Sequence, residues 1–291
     1  MLIDTARRFL HARHTRVKNQ RTIDTLKSHL QSDVPLLLVH QMGRAGSMTT
    51  VNSIRAGGVP LPVYHTHWLN PESVRTRIGW TRQPNESRRP LNVRVSTLIS
   101  EELARATPTQ RQWTVVTVFR EPVARNVSVF FLAIEVFVKN FFERHARGEI
   151  DNAYLKDVFL KEFPHDEPIT WFDREMRDVF GIDVYANEFP QAQGYQILRA
   201  PQVDLLAIKL EQLNDCYRQA FSEFIGLELP GLENTHITDK DPAFSMYADF
   251  VRNTALPDRY LDDMYSSRFA RHFYSDEELR GFRRKWSEKG L

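Results

Sequence analysis

Two short runs constrain this chain more than any other feature. Val34-Pro35-Leu36-Leu37-Leu38-Val39-His40 and Trp113-Thr114-Val115-Val116-Thr117-Val118-Phe119 are apolar or β-branched almost throughout. A strand with one wet face would alternate apolar and polar residues. These runs therefore predict strands buried on both faces, as in a parallel sheet covered by helices. Each run leads into a helix signal. Met48 to Arg55 follows the first run across a loop containing two glycines. After the second, Pro122 suits the first position of a helix, in which Val123, Val127, Phe130, Ile134, Phe137 and Phe141 recur at steps of four and three.

Further segments extend the alternation. Val59 to His65 reads as a strand that Pro60 and Pro62 confine to an edge or a strand start. Tyr195 to Leu198 and Leu205 to Leu210 read as strands. Asn152 to Phe163, Ile169 to Phe180 and Glu211 to Ile225 read as helices, and Pro257 to Trp286 as a mostly helical, aromatic-rich tail. Strands alternating with helices predict an α/β fold with a parallel sheet. No internal repeat or low-complexity linker divides the chain. The expected organisation is one domain over 1–291, with a basic helix over 1–31 and an α/β core with a helical tail over 32–291.

Charge and cysteine content narrow the function classes. Thirty-nine Lys and Arg stand against 37 Asp and Glu, a net charge of +2 that argues against a general nucleic-acid binder. The single cysteine, Cys216, excludes an internal disulfide framework and a Cys-rich zinc site, and fits a cytoplasmic location. Val127 to Phe142, the longest apolar stretch, is too short and too interrupted to span a bilayer, which takes roughly 20 apolar residues. The N-terminal segment carries Arg7, Arg8, Arg13, Arg16, Lys18, Arg21 and Lys27 against Asp4 and Asp24. Two readings stand for it: a solvated helix capping the domain, or a helix in peripheral contact with a membrane surface. His11 and His14 fall on this helix as solvated residues.

Two loops carry the chemistry. The first, Gln41-Met42-Gly43-Arg44-Ala45-Gly46-Ser47-Met48-Thr49-Thr50, joins a strand to a helix. There the backbone N–H groups and the positive helix end converge into an anion cradle. It is no Walker A loop, because no Gly-Lys-Ser/Thr closes it. The second is Arg-x-Pro-x-x-Arg-x-x-Ser, formed by Arg120, Pro122, Arg125 and Ser128 at a strand–helix junction. An Arg fork and a hydroxyl there can clamp one phosphate while the first loop holds another. An ordinary salt bridge for Arg120 and a back-bond to the helix for Ser128 are the plainer alternatives. The third strand ends in Arg120, with no Asp to hold Mg²⁺.

These residues resemble the sulfotransferases that use 3′-phosphoadenylyl sulfate (PAPS). Arg44-Ala45-Gly46-Ser47 is similar to their Lys-x-Gly-Ser/Thr loop, and Arg120 to Ser128 to their second phosphate motif, including the eight-residue step. Leu205 to Leu213 resembles the strand and Glu-x-Leu element found late in the domain. The order is the family's, and the likeness extends loosely over residues 34 to 290. Carbohydrate sulfotransferases and bacterial proteins associated with capsular polysaccharide are nearest in character. The resemblance implies a P-loop-like three-layer fold with a mostly parallel central sheet. It also implies transfer of a sulfuryl group from PAPS to a carbohydrate hydroxyl, with adenosine 3′,5′-bisphosphate as product and no metal required.

Carried over by position, the resemblance puts the 5′-phosphate on Gly43, Arg44, Ala45, Gly46 and Ser47, and the 3′-phosphate on Arg120 and Ser128. Arg44 stands for the family's lysine near the sulfuryl group; its planar fork does not readily give up a proton. Met48 stands where many members have Ser or Thr, so one hydroxyl contact is either missing or moved to Thr49. Tyr64-His65-Thr66-His67-Trp68 follows the second strand, where many carbohydrate sulfotransferases place a catalytic base. His67 is the expected base, because His titrates near neutrality, with His65 beside the acceptor. A metal pair and a purely structural pair are the rival readings.

Arg75, Arg77, Arg82, Arg88, Arg89 and Arg94 face one acid, Glu86, in this stretch. It reads either as a solvated loop or as a wall attracting an anionic acceptor, with Arg82, Arg88 and Arg89 in contact. Thr235, His236 and Lys240 fall where the family closes over its cofactor. Tyr265, Phe269, Phe273 and Tyr274 read as core rather than as a sugar platform. Two other function classes stay open: a P-loop kinase-like nucleotide enzyme, and a non-catalytic binder of acidic glycan.

Overall fold

The structure, a computed structural model, describes residues 2–81, 83, 85–105, 111–232 and 242–288; for residues 2–13, 80, 242 and 243 it describes the backbone alone. Five strands form one sheet: β1 (Leu36–His40), β2 (Val63–Thr66), β3 (Trp113–Phe119), β4 (Tyr195–Ala200) and β5 (Val203–Lys209), in the order β2-β1-β3-β5-β4. Every neighbouring pair is parallel except β4 with β5, a tight antiparallel return at one edge. β2 forms the opposite edge, and Pro60 and Pro62 precede its first residue, Val63.

Alternate residues of the central strands feed two different cores. Leu36, Leu38, Val115, Phe119 and Leu205 face one side, with α1 (Leu2–Gln31), α4 (Leu91–Leu103) and α14 (Arg268–Phe273) packed against them. Leu37, Val39, Val116, Val118, Leu206 and Ile208 face the other, covered by α2 (Ser47–Ala56) and α11 (Leu213–Ile225). The result is the expected three-layer α/β fold. A third core lies among helices: α5 (Pro122–Leu132), α8 (Asn152–Glu162), α12 (Pro242–Asn253), α13 (Asp258–Tyr265) and α15 (Asp276–Ser287). Tyr265, Phe269, Phe273 and Tyr274 are all buried, as expected of core residues.

Four local expectations need correction. The helix opened by Pro122 does not run to Phe141; it stops at Leu132 and continues as short turns, α6 (Ile134–Phe137) and α7 (Phe141–Ala146). The first break falls at Ala133 and the second at Val138 to Asn140, where Asn140 sits at φ 55°, yet the apolar residues on either side still meet the same core. The arginine-rich stretch is not a loop: α3 (Pro71–Thr81) and α4 flank a short 3₁₀ turn at Glu86–Arg88. The helix placed at Ile169 starts at Glu167 as α9 (Glu167–Phe172). It then widens into a π turn over Asp173–Arg177 before α10 (Asp178–Phe180). Finally, Leu210–Gln212 is a 3₁₀ turn leading into α11.

The C-terminal half of α1 caps the sheet through Ile23, Leu26 and Leu30. No described helix is long and apolar enough to cross a membrane.

Candidate active site

Going from β1, the chain moves outward to β2 and then returns to β3 on the other side of β1. Such a reversal opens a crevice at the carboxyl ends of the strands, where α/β sheets bind ligands. The loop after β1, His67 just beyond β2, Arg120 just beyond β3 and Glu211 just beyond β5 all issue from that edge.

The loop after β1 is anchored from below. Met42 and Ala45 are buried, and Gln41 Nε2 donates to the Ala45 carbonyl at 2.9 Å. Arg44 sits at φ 69° and Gly46 at φ 78°. A left-handed non-glycine residue is uncommon and tends to mark functional sites. Gly46 caps α2 with no side-chain hydrogen bond, and the first turn of α2 has no acidic residue. Its leading N–H groups thus form a positive end suited to a phosphate.

The second motif meets this loop. Arg44 Nε donates to Ser128 Oγ at 2.8 Å, and Arg120 Nη1 lies 3.5 Å from the Arg44 carbonyl. Arg125 is almost wholly buried. Its Nε donates to the Gly43 carbonyl at 3.2 Å and its Nη2 to Glu167 Oε2 at 2.6 Å. It thereby ties the first loop to α5 and α9. The junction that presents Arg120 is fixed by carboxylates. Glu121 caps α5, accepting from Val123 N and Ala124 N at 2.8 Å each, and takes bonds from Tyr265 and Trp286. Glu211 accepts from Glu121 N at 2.9 Å and from the Tyr274 hydroxyl at 3.1 Å, and burial pushes its carboxyl up. The Glu-x-Leu element is thus the brace of the β3–α5 junction.

The two histidines come within 4.4 Å, ring centre to ring centre. They differ in role. His67 Nδ1 lies 2.7 Å from the Gln41 carbonyl oxygen, which only accepts, so Nδ1 carries the proton. In the neutral ring Nε2 then holds the lone pair. Burial pushes the His67 imidazole below its ordinary value, against the pull of that carbonyl, so the neutral form prevails at pH 7. His65 is held down to about 3 by burial, then by His67 and His40, and its Nε2 is buried without a hydrogen-bond partner. Among the described residues no group of three or more His, Cys, Asp or Glu is placed to hold a metal, so the rival metal reading finds no third ligand there.

Other expected site residues are dispersed. Met48 is 43% exposed on α2. Arg88 and Arg89 lie at the 3₁₀ turn, and Arg89 Nε donates to the Gln83 carbonyl. Arg94 is buried and reaches Gln20 of α1, away from solvent. Arg77 instead stacks over Trp68 at 4.1 Å and pairs with Glu167 at 3.6 Å. Arg82, Thr235, His236 and Lys240 lie outside the described residues.

Sequence reasoning missed the polar web beneath the site: His40, Glu167, Glu175 and the clasp of Arg125. Glu175 Oε2 accepts from Leu69 N at 2.6 Å and Asn70 N at 2.9 Å, and faces His40 Nε2 at 3.5 Å. The signal was there in part. Arg125 and His40 are ionisable residues inside segments read as buried, and a buried charge requires a partner.

Residues 148–275 match the model of a family described as "Putative capsular polysaccharide synthesis protein". The matched segment holds Glu167, Trp171, Glu175 and Glu211, whereas the loop after β1 and the Arg120–Ser128 motif precede it. The match spans less than half of the chain and fits a polysaccharide-related protein. No curated protein and no solved structure matches the chain.

Proposed function

We propose that this protein transfers a sulfuryl group from PAPS to a hydroxyl of a carbohydrate acceptor. One observation carries the reading. Residues 44 and 128, from two motifs far apart in sequence, meet at 2.8 Å beside Arg120 and a helix end with neither cap nor acid. The donor set fits a ligand with two phosphate groups: guanidinium forks, a hydroxyl and backbone N–H groups at a helix N-terminus. When bound, the cofactor supplies the activated sulfuryl group.

Each residue then has a definite task. The N–H groups of Gly43 to Ser47 hold the 5′-phosphate, with Met48 and Thr49 in the following turn. Arg44 is assigned to the reacting end, where fixed donors count most; in this structure its Nε is turned to Ser128 Oγ at 2.8 Å. Arg120 and Ser128 hold the 3′-phosphate. His67 Nε2 takes the proton of the acceptor hydroxyl, and the Gln41 carbonyl keeps the ring in the tautomer that can do so. His65, half-buried with its ring 4.4 Å from that of His67, lies beside the acceptor.

The test is transfer of labelled sulfate from PAPS to a panel of glycans. His67→Ala is expected to abolish transfer while leaving affinity for adenosine 3′,5′-bisphosphate within about threefold, since its one bond to the phosphate loop is to the Gln41 carbonyl and not to a phosphate-binding N–H. Normal turnover in that variant removes His67 from the mechanism.

A further inference from the structure

A cleft of about 340 Å³ lies between α3 and the α9–α10 helix, at the low end of the roughly 300–1,000 Å³ range of small-ligand sites. Trp68 and Trp171 line it, and both belong to the His67 environment. Trp171 Nε1 donates to the His67 carbonyl at 3.3 Å, and the Trp68 ring lies 5.3 Å from the His67 imidazole. The cleft therefore borders the His67 segment, with the Trp68 ring between it and the imidazole. Trp171 is 1% exposed and forms part of the floor, and Arg77 covers one face of Trp68 at 4.1 Å, so the walls meet a ligand mainly through polar groups.

The charge of the walls restricts the occupant. Five carboxylates line the cleft, Glu72, Asp166, Glu167, Glu175 and Asp178, against two guanidinium groups, Arg77 and Arg174. Glu167 is matched by Arg125 and Arg77. At the rim Asp178 pairs with Arg177 at 3.1 Å, which leaves Glu72 and Asp166 exposed against Arg174, so the mouth carries a small net negative charge. A second observation marks the floor as a ligand contact. Glu175 is 1% exposed, and while its Oε2 is occupied by backbone N–H groups, its Oε1 is buried with no hydrogen-bond partner. A lone carboxylate oxygen lining a cleft lacks a donor, and a sugar hydroxyl or ammonium provides one. Glu175 also sits in the π turn, an irregularity frequent at functional sites.

We infer that this cleft seats the acceptor and that the acceptor is a sugar without a carboxylate, either neutral or amino-bearing. The inference rests on the reading of His67 as the base that meets the acceptor, and it departs from the anionic acceptor that the arginine-rich stretch suggests. A uronate would bring a further negative charge among carboxylates that are already in excess, whereas an ammonium would be attracted.

Equilibrium binding without cofactor, followed by tryptophan fluorescence, tests it with three probes: a glucosamine hexamer, maltohexaose and a galacturonate hexamer. The glucosamine and malto-oligomers are expected to bind, and the galacturonate at least about tenfold more weakly, with the gap closing at high salt. Thr76→Trp, which fills the cleft from α3, is expected to abolish sugar binding while leaving affinity for adenosine 3′,5′-bisphosphate unchanged. Glu72→Lys with Asp178→Lys, both on the rim, is expected to invert the preference in favour of galacturonate. Galacturonate binding best to the wild type overturns the inference, as does sugar binding that ignores both variants. Sugar binding in the expected order by a chain that fails to bind the bisphosphate upholds the cleft and refutes the sulfotransferase reading instead.

Discussion

Glu167→Gln isolates the charge that holds the candidate site together. The substitution keeps the shape of the side chain and an oxygen that can accept from Arg125, but removes its charge. All three nitrogens of Arg125 are bonded within the protein: Nε to Gly43 O at 3.2 Å, Nη1 to Asn126 Oδ1 at 3.1 Å and Nη2 to Glu167 at 2.6 Å. Only 2% of the Arg125 side chain is exposed, against 17% for Glu167. Without Glu167 the guanidinium is a buried, uncompensated charge, and breaking such a pair costs roughly 3–5 kcal/mol. The partial exposure of Glu167 and the persistence of a neutral acceptor put the expected loss near the lower end, about 3 kcal/mol. Urea unfolding at pH 7 reads this as a lower midpoint with an unchanged slope.

The pH dependence supplies a second check. Burial pushes the Glu167 carboxyl up, but Arg125, Arg77 and Trp68 outweigh it and hold the group below the ordinary carboxylate range. A depressed folded-state pKa stabilises above the unfolded value, near 4.3, and that contribution is lost as pH falls through the folded value. The difference between wild type and Glu167→Gln must therefore shrink as the pH drops below about 4. A loss under about 1 kcal/mol at pH 7, or one that does not vary with pH, would refute the claim that Arg125 depends on this carboxylate.

Three further outcomes are expected. Arg120→Ala weakens adenosine 3′,5′-bisphosphate by about tenfold to a hundredfold in calorimetry and barely changes ADP, because a charge-assisted bond is worth about 1.5–3 kcal/mol; equal losses for both nucleotides would make Arg120 a scaffold residue. Gly46→Ala forces a Cβ onto φ 78° within 3.0 Å of Leu210 Cδ1, so unfolding should show a loss of about 1–2 kcal/mol together with weaker bisphosphate binding. Stability should also fall from pH 7 to pH 5.5: His65, His67, His165 and His272 are held below their ordinary values by burial, so the unfolded chain takes up protons that the folded one refuses. Each contributes a slope of up to about 1.4 kcal/mol per pH unit below about 6.5, and a flat profile would contradict their burial as neutral rings.

What the sequence disclosed follows from the range of each interaction. β1, β3 and β5 are legible because strands buried on both faces leave an apolar run that nothing else explains. The two motif loops are legible because each is contiguous. α3 is hidden by a stretch dense in arginine with few apolar residues, and Pro84 and Pro90 separate it from the more apolar α4. The steps of four and three beyond Leu132 record which core the residues face, not whether one helix carries them, so the breaks at Ala133 and at Val138 to Asn140 leave no trace in the pattern. The partners of Arg125, His40 and Lys209 depend on tertiary pairing. Lys209, buried at the end of β5, finds Glu278 at 2.7 Å on α15, which no local pattern announces.

The central claim is that the loop after β1 and the Arg120–Ser128 junction together hold a nucleotide with a phosphate on its 3′-oxygen. Calorimetric titration of the wild-type protein with adenosine 3′,5′-bisphosphate and with ADP, at equal salt and without divalent metal, tests it most directly. The account predicts at least about tenfold tighter binding of the bisphosphate, since the guanidinium and hydroxyl at the junction meet a phosphate that ADP lacks. Equal affinity, or a preference for ADP, would contradict it.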